Sequence, residues 1–175
     1  VIREPIDLPG LLDKCLDQLD YTRKHAAQRA AHEGPIKRGL GVATFLHGCG
    51  FTGGGETYLA SVAGVEGRVD GKVHVLAGST EIGQGTNTVF TQIVAEALRV
   101  PMDCVEVAQP DTHVVPNSGP TVASRTAMVV GKLLQDAAVA LRQILIQSGL
   151  LKEPYNGPLF QQAVKTYLER FGPLR

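Results

Sequence analysis

Two short stretches combine residue types and spacing that suit ligand binding. In the first, Gly83-Gln84-Gly85 sets one polar side chain between two residues without a Cβ, so the chain can take positive φ and approach a bound group closely. The apolar-periodic run NTVFTQIVAEALRV follows directly, and the first amides of the helix it predicts have no partner inside that helix. They carry the positive end of the helix dipole and suit an anion or an electron-rich group. Gln84 adds a donor and an acceptor on one short side chain. A plain tight strand-to-helix connection has the same letters, and spacing alone leaves both readings open. The second stretch, Thr121-Val122-Ala123-Ser124-Arg125-Thr126, heads another helical pattern. There Thr121 or Ser124 can cap and the small residues expose first-turn amides, although an ordinary capped core helix would look similar.

The elements that must position these stretches follow from periodicity. KVHVLAGST alternates as a strand into the glycine turn, and Pro101 ends the helix after it, whose apolar face is Val89, Ile93, Val94 and Ala97. Asp70-Gly71, between the alternating runs ending at Val69 and beginning at Val73, predicts a hairpin with a two-residue turn, so the sheet is not purely parallel. CVEVAQ is a short strand, and the proline-restricted loop PDTHVVPNSGP leads to the second stretch, with His113 read as a solvent-exposed loop residue. The long helix beyond carries Val130, Leu134, Ala137, Leu141 and Ile144, and Gly149 suits its end. A last amphipathic helix runs from Leu159 to Phe171.

Upstream, Asp7 as cap and Pro9 in the first turn start a helix expected to reach Gly34-Pro35. His25 and His32 lie seven apart on it and read as surface histidines. GLGVATFLHG and ETYLASVAGVE read as strands on either side of a glycine run. Within that run, residues 48 to 53 match the spacing of a dinucleotide fingerprint, but no convincing helix or second acidic strand follows, which argues against that role. His74 between valines reads as a satisfied sheet residue.

Length and composition bound the rest. At 175 residues with 43% apolar types, the chain can bury one sizeable core. Seventeen basic and seventeen acidic residues leave no net charge, and neither sign forms a block, so nucleic acid and anionic membrane are not indicated as partners. Cys15, Cys49 and Cys104 lie far apart with no CxxC pair, which indicates neither a disulfide framework nor a thiolate metal site. No apolar run reaches the ~20 residues a membrane helix requires. The expectation is a soluble, cytoplasmic protein, and a start at Val1 rather than methionine suggests a fragment or processed chain.

TEIGQGTNTVFTQIVAEAL, followed by VEVAQPDTHVVPNSGPTVASRTAMVVG, resembles the molybdenum-cofactor-binding subunit of the xanthine dehydrogenase and aldehyde oxidase family. KRGLGVATFLHGCGFTGGGE is similar to that family too, so the likeness covers residues 36 to 148. The motifs stand in the family's order with comparable separation. The resemblance implies an α+β fold, a mixed, largely antiparallel sheet packed against long helices. It implies an N-terminal helical arm over 1–36 and part of a molybdopterin-binding domain over 37–175.

Carried over residue by residue, the resemblance makes Ile82, Gly83, Gln84 and Gly85 a cofactor-contacting segment, with Gln84 bonding near the metal's oxo group or the pterin. Thr121 stands beside the same site. Ala123, Ser124, Arg125 and Thr126 match the segment that holds the pterin and its phosphate. Arg125 departs from eukaryotic members and is similar to bacterial ones, which points to pairing with an added phosphate of a dinucleotide form. Enzymes of the family hydroxylate N-heterocycles or aldehydes with oxygen from water, and pass electrons through 2Fe-2S clusters to FAD in partner domains or subunits. Their molybdenum is bound through the pterin, so no protein metal ligands are expected. The family's glutamate base lies in a downstream motif without an equivalent before Arg175, and neither Glu56 nor Glu81 matches it. No catalytic residue is therefore assigned, and the expectation is about half of a site, inactive alone. The remaining molybdenum-domain half, iron–sulfur and flavin partners and a small-molecule substrate are implied. A different reading, an assembly domain of a multi-subunit oxidoreductase with a degenerate site, stays open.

Overall fold

The computed structural model describes residues 5–30, 34–45, 48–51 and 54–175. The chain divides into two compact units, Val1–His47 and Gly48–Arg175.

In the first unit, α1 (Leu8–Gln18) begins as expected, with the Asp7 carboxylate accepting from the Gly10 amide and a proline in the opening turn. The single long helix is not observed. Asp20 adopts φ of 50°, which breaks the helical path, and its carbonyl accepts from Lys24 to start α2 (Tyr21–Ala30). His25 stacks on Tyr21 at 5.2 Å. His32 lies outside the described residues, as do 46–47 of the strand expected in GLGVATFLHG. Residues 39–45 form no strand, and Val42 and Phe45 are exposed.

The second unit opens on another correction. Gly55–Leu59 is a short helix, α3, rather than the start of a strand, and left-handed Ala60 closes it by donating to the carbonyls of Glu56 and Thr57. The strand proper is β1 (Gly64–Gly67), antiparallel to β2 (Val73–Leu76). The hairpin loop has three residues, not two. Gly67 opposes Val73, the Arg68 amide donates to the Lys72 carbonyl, and Gly71 sits at φ of 88°, the type I turn plus left-handed residue that such loops use.

Strand β2 is central in the order β1-β2-β3, and it pairs in parallel with β3 (Val105–Val107). Parallel neighbours require a crossover, which α4 (Thr86–Leu98) supplies. One pairing of each sense makes the sheet mixed and the fold α+β. Helix α5 (Gly131–Gln147) packs along α4 and against β1, and α6 (Gly157–Phe171), capped by Asn156, packs on β1 and α5.

The core joins Val73 and Val75 of the sheet to Phe90, Val94 and Leu98 of α4, to Leu134, Ala138, Leu141 and Leu145 of α5, and to Phe160 and Val164 of α6. Full burial of each large side chain contributes roughly 1.5–3 kcal/mol. On α4 the buried row is Phe90, Val94 and Leu98, one residue round from the expected face, of which Val94 alone is fully buried. At Gly131 a Cβ would stand 2.7 Å from Ile93 Cδ1, so α4 and α5 approach closely where α5 begins. That closeness brings the two helix entrances together.

Candidate functional site

The first entrance is the turn between β2 and α4. Gly83 and Gly85 adopt φ of 99° and 87°, the positive values that the glycine pair predicts. The amides beyond the turn, however, are not free. The Glu81 carboxylate folds over the turn and accepts from Gly83 at 2.7 Å, Gly85 at 3.1 Å and Asn87 at 3.0 Å. Hydrogen bonds from the backbone, that of Asn87 foremost, hold its pKa below the usual carboxylate value. The chain's own anion thus occupies the start of α4, and the sequence reading of an open amide cluster there is corrected.

Gln84 is also committed within the turn. Its Oε1 accepts from Ile82 N at 2.7 Å, and its Nε2 donates to Thr80 O at 2.6 Å and to Thr86 Oγ1 at 2.7 Å. Both side-chain hydrogens are spent, leaving one acceptor position on Oε1.

The second entrance has a different construction. Ala123 and Ser124 are consecutive non-glycine residues at φ of 51° and 54°. Such conformations cost about 1–3 kcal/mol each and concentrate where backbone geometry serves a site. Thr126–Val130 then forms one wide π-helical turn before α5, with no side-chain cap. The expected capping by Thr121 or Ser124 is absent. Thr121 Oγ1 instead accepts from the Thr80 amide at 2.9 Å, a bond that ties the two entrances together.

Between the entrances lies a cavity of about 330 Å³, lined by Gln84, Thr86, Val89 and Phe90 on one side and by residues 121–124, Thr126 and Ala127 on the other. Among the described residues no charged side chain lines it. Its polar lining residues are Gln84, Thr86, Thr121, Ser124 and Thr126, and the wide helix that opens beside it has no side-chain cap from Arg125. Of the residues singled out from sequence, Gln84, Thr121, Ala123, Ser124 and Thr126 meet at this cavity. Ile82, Gly83 and Gly85 shape the turn beside it without lining it, and the Ile82 side chain is 81% exposed.

Arg125 is the clear departure. Its residue is fully buried and does not line the cavity. Nε lies 3.1 Å from both carboxylate oxygens of Glu56, Nη2 donates to Glu56 Oε2 and Ser61 Oγ, and Nη1 donates to the carbonyls of Ser118 and Pro120. All five guanidinium hydrogens are used inside the protein, so the expected pairing with a cofactor phosphate is not available. The Glu56 carboxyl is correspondingly held below its usual pKa, chiefly by its hydrogen bonds with Arg125.

Sequence reasoning missed Thr86, Val89, Phe90 and Ala127 as lining residues. The signal was helical spacing, since Thr86, Val89 and Phe90 share a face by i, i+3, i+4 steps. His113 is exposed, its amide donating to Asp111 Oδ1. Among the described residues no cluster of His, Cys, Asp and Glu is arranged to hold a metal ion, and no helix is long and apolar enough to cross a membrane. In the 48–53 glycine run, residues 52–53 lie outside the described residues. The five-residue α3 that follows leads into an antiparallel hairpin rather than a βαβ unit.

Comparison with known proteins agrees with the geometry. Residues 14–153 match the family model described as molybdopterin cofactor-binding domain. The xanthine dehydrogenase molybdenum-binding subunit of Escherichia coli O157:H7 is 35% identical over 142 residues, which is 79% of this chain and 18% of that protein. Xanthine dehydrogenase of Dictyostelium discoideum is 35% identical over 135 residues, 77% of this chain and 10% of its own length. Aldehyde oxidase 2 of Macaca fascicularis is 33% identical over 139 residues, covering 76% and 10%. Among solved structures, quinoline 2-oxidoreductase from Pseudomonas putida 86 superposes with a TM-score of 0.59 at 28% identity, over 79% of this chain and 18% of that one. The chain thus spans under a fifth of each of these relatives. With the family model covering most of its length, the chain belongs to the molybdopterin cofactor-binding domain family of the xanthine dehydrogenase and aldehyde oxidase type.

Proposed function

We propose that this segment holds part of a molybdopterin cofactor in the cavity between the two helix entrances, within a larger hydroxylase acting on an N-heterocycle or an aldehyde. The observation that carries the reading is the convergence of Gln84 and Thr86 with residues 121–127 on one cavity without a charged lining. The residues fit the group. A polar, anionic pterin needs donors and no facing carboxylate, and the donors here are the hydroxyls of Thr121, Ser124 and Thr126 and the uncapped amides that open the π-helical turn. When bound, the cofactor supplies the redox chemistry of hydroxylation.

The protein's own residues hold and orient. Ser124 and Thr126 donate to the anionic end, and Ala123, small and left-handed, lets the backbone come close. Val89 and Phe90 form an apolar wall on that side of the cavity. Gln84 stiffens the same wall through Thr80 and Thr86 and offers its remaining Oε1 acceptor. No residue of the segment acts as the base. That role, like the 2Fe-2S and FAD partners, belongs on this reading to other domains or subunits of the complete enzyme.

Ser124→Gly is the informative substitution, because glycine keeps the left-handed backbone while deleting the hydroxyl. In an intact enzyme carrying this segment it should lower pterin and molybdenum content severalfold, and Gln84→Ala should lower it less. The internally bonded Gln84 and Glu81 favour one second reading, an assembly domain with a degenerate site. Full molybdenum loading after replacing Gln84 and Ser124 together would support that reading and sink the first.

A further inference from the structure

The left-handed pair at Ala123 and Ser124 has no glycine to make it easy, so something else must keep it in place. Two contacts do so from behind the cavity. The Gly50 amide donates to the Ala123 carbonyl at 2.8 Å. The next residue, Arg125, is anchored by Glu56, whose Oε1 also accepts from the Phe51 amide at 3.1 Å. Gly50, Phe51 and Glu56 therefore grip both sides of Ser124 without lining the cavity.

The grip is tight on the other side as well. Arg125 Nη1 donates to the carbonyls of Ser118 at 2.9 Å and Pro120 at 3.0 Å, and Nη2 to Ser61 Oγ at 2.6 Å. At Gly119, where φ is 75°, a Cβ would stand 3.0 Å from Arg125 Nη1 and 2.8 Å from Ser61 Oγ, so the chain folds directly onto the guanidinium. Ser118 is itself buried, its Oγ accepting from Gly78 N and donating to Val62 O. A planar cation with every hydrogen bound is a rigid fixture, and residues 118–125 are folded around it.

We propose that Arg125 and Glu56 are positioning residues of the cofactor site: their ion pair locks the Ala123–Ser124 backbone so that the Ser124 hydroxyl and the following amides face the cavity. This rests on the cofactor reading above. The two partners are unequal. Removing Arg125 strands Glu56, the Ser118 and Pro120 carbonyls and the Ser61 hydroxyl at once, whereas the Glu56 side chain is 25% exposed and its loss is partly made good by water.

The test uses the intact enzyme, prepared with and without cofactor, carrying Arg125→Met, Arg125→Lys, Glu56→Gln or Ser124→Gly. Pterin content is measured per folded molecule, and amide exchange is followed over residues 119–127 in the cofactor-free form. Arg125→Met should speed exchange there roughly tenfold and lower pterin content severalfold, with Arg125→Lys recovering part of both and Glu56→Gln falling between Lys and wild type. If Arg125→Met melts earlier yet keeps a full complement of pterin, or leaves exchange unchanged, the positioning role is overturned. Should Arg125→Met not fold, Arg125→Lys and Glu56→Gln decide by the same two readouts. The two ideas fail separately: pterin lowered by Ser124→Gly but untouched by the Arg125 variants removes only the positioning role, while pterin untouched by Ser124→Gly and by the Arg125 variants removes the cofactor reading with it.

Discussion

The two helix entrances began from the same sequence argument and ended as opposites. At α4, glycines take the positive φ values at no steric cost, and Glu81 fills the start of the helix with the chain's own carboxylate. At residue 126, an alanine and a serine take the positive φ values at a cost, and no side chain caps the helix. A turn that satisfies itself is scaffold. A turn that holds strain and leaves its donors open is the better receptor. On the proposed function, the difference makes the first entrance the rigid one and the second the one that contacts the ligand.

Breaking what the two entrances share should have the largest effect. Phe90 is 1% exposed and walls the cavity from α4, so Phe90→Ala should destabilise the Gly48–Arg175 unit by about 3–5 kcal/mol. A lowered thermal transition in the intact protein would check it. Smaller, and unequal to one another, are the backbone swaps. Gly85→Ala at φ of 87° should cost about 1–2 kcal/mol. Ala123→Gly at φ of 51° should be close to neutral, relief of strain offsetting the greater freedom of glycine in the unfolded chain. Equal losses from the two would erase the contrast.

The smallest effect concerns pH. The Glu81 pKa is lowered in the fold, so its contribution is fully present above the ordinary carboxylate value of 4.5 and is lost as pH falls below that, through the depressed value. Amides of Gly83, Gly85 and Asn87 should lose protection in that acid window, after correction for intrinsic exchange, and Glu81→Gln should abolish the dependence. An unchanged pH response in the variant would show that Glu81 does not close the turn.

Much of this fold was legible because its signals are local. Asp7 caps where a cap is expected, and Gly149 ends α5 at φ of 73°. The alternation around Val73 and Val75 is buried as a strand should be. What failed depended on partners the letters do not display. Residues 39–45 have strand-like composition, yet a strand exists only against a neighbour. The 56–59 run reads as extended but forms one short helix with Gly55, which left-handed Ala60 ends. For the site, spacing and resemblance located the two entrances, but not which amides remain free. Glu56 lies 69 residues from Arg125, so that contact appears only after folding, whereas Glu81, four residues before Gly85, closes its turn locally and was passed over in the reading of the glycines.

Hydrogen exchange of the intact enzyme with and without its cofactor compares the entrances directly. The amides from Ser124 to Ala127 should gain at least roughly tenfold protection on loading, while Gly83, Gly85 and Asn87, already bonded to Glu81, should change little. Protection gained at the glycine turn with none at residues 124–127 would contradict the assignment of ligand contact to the second entrance.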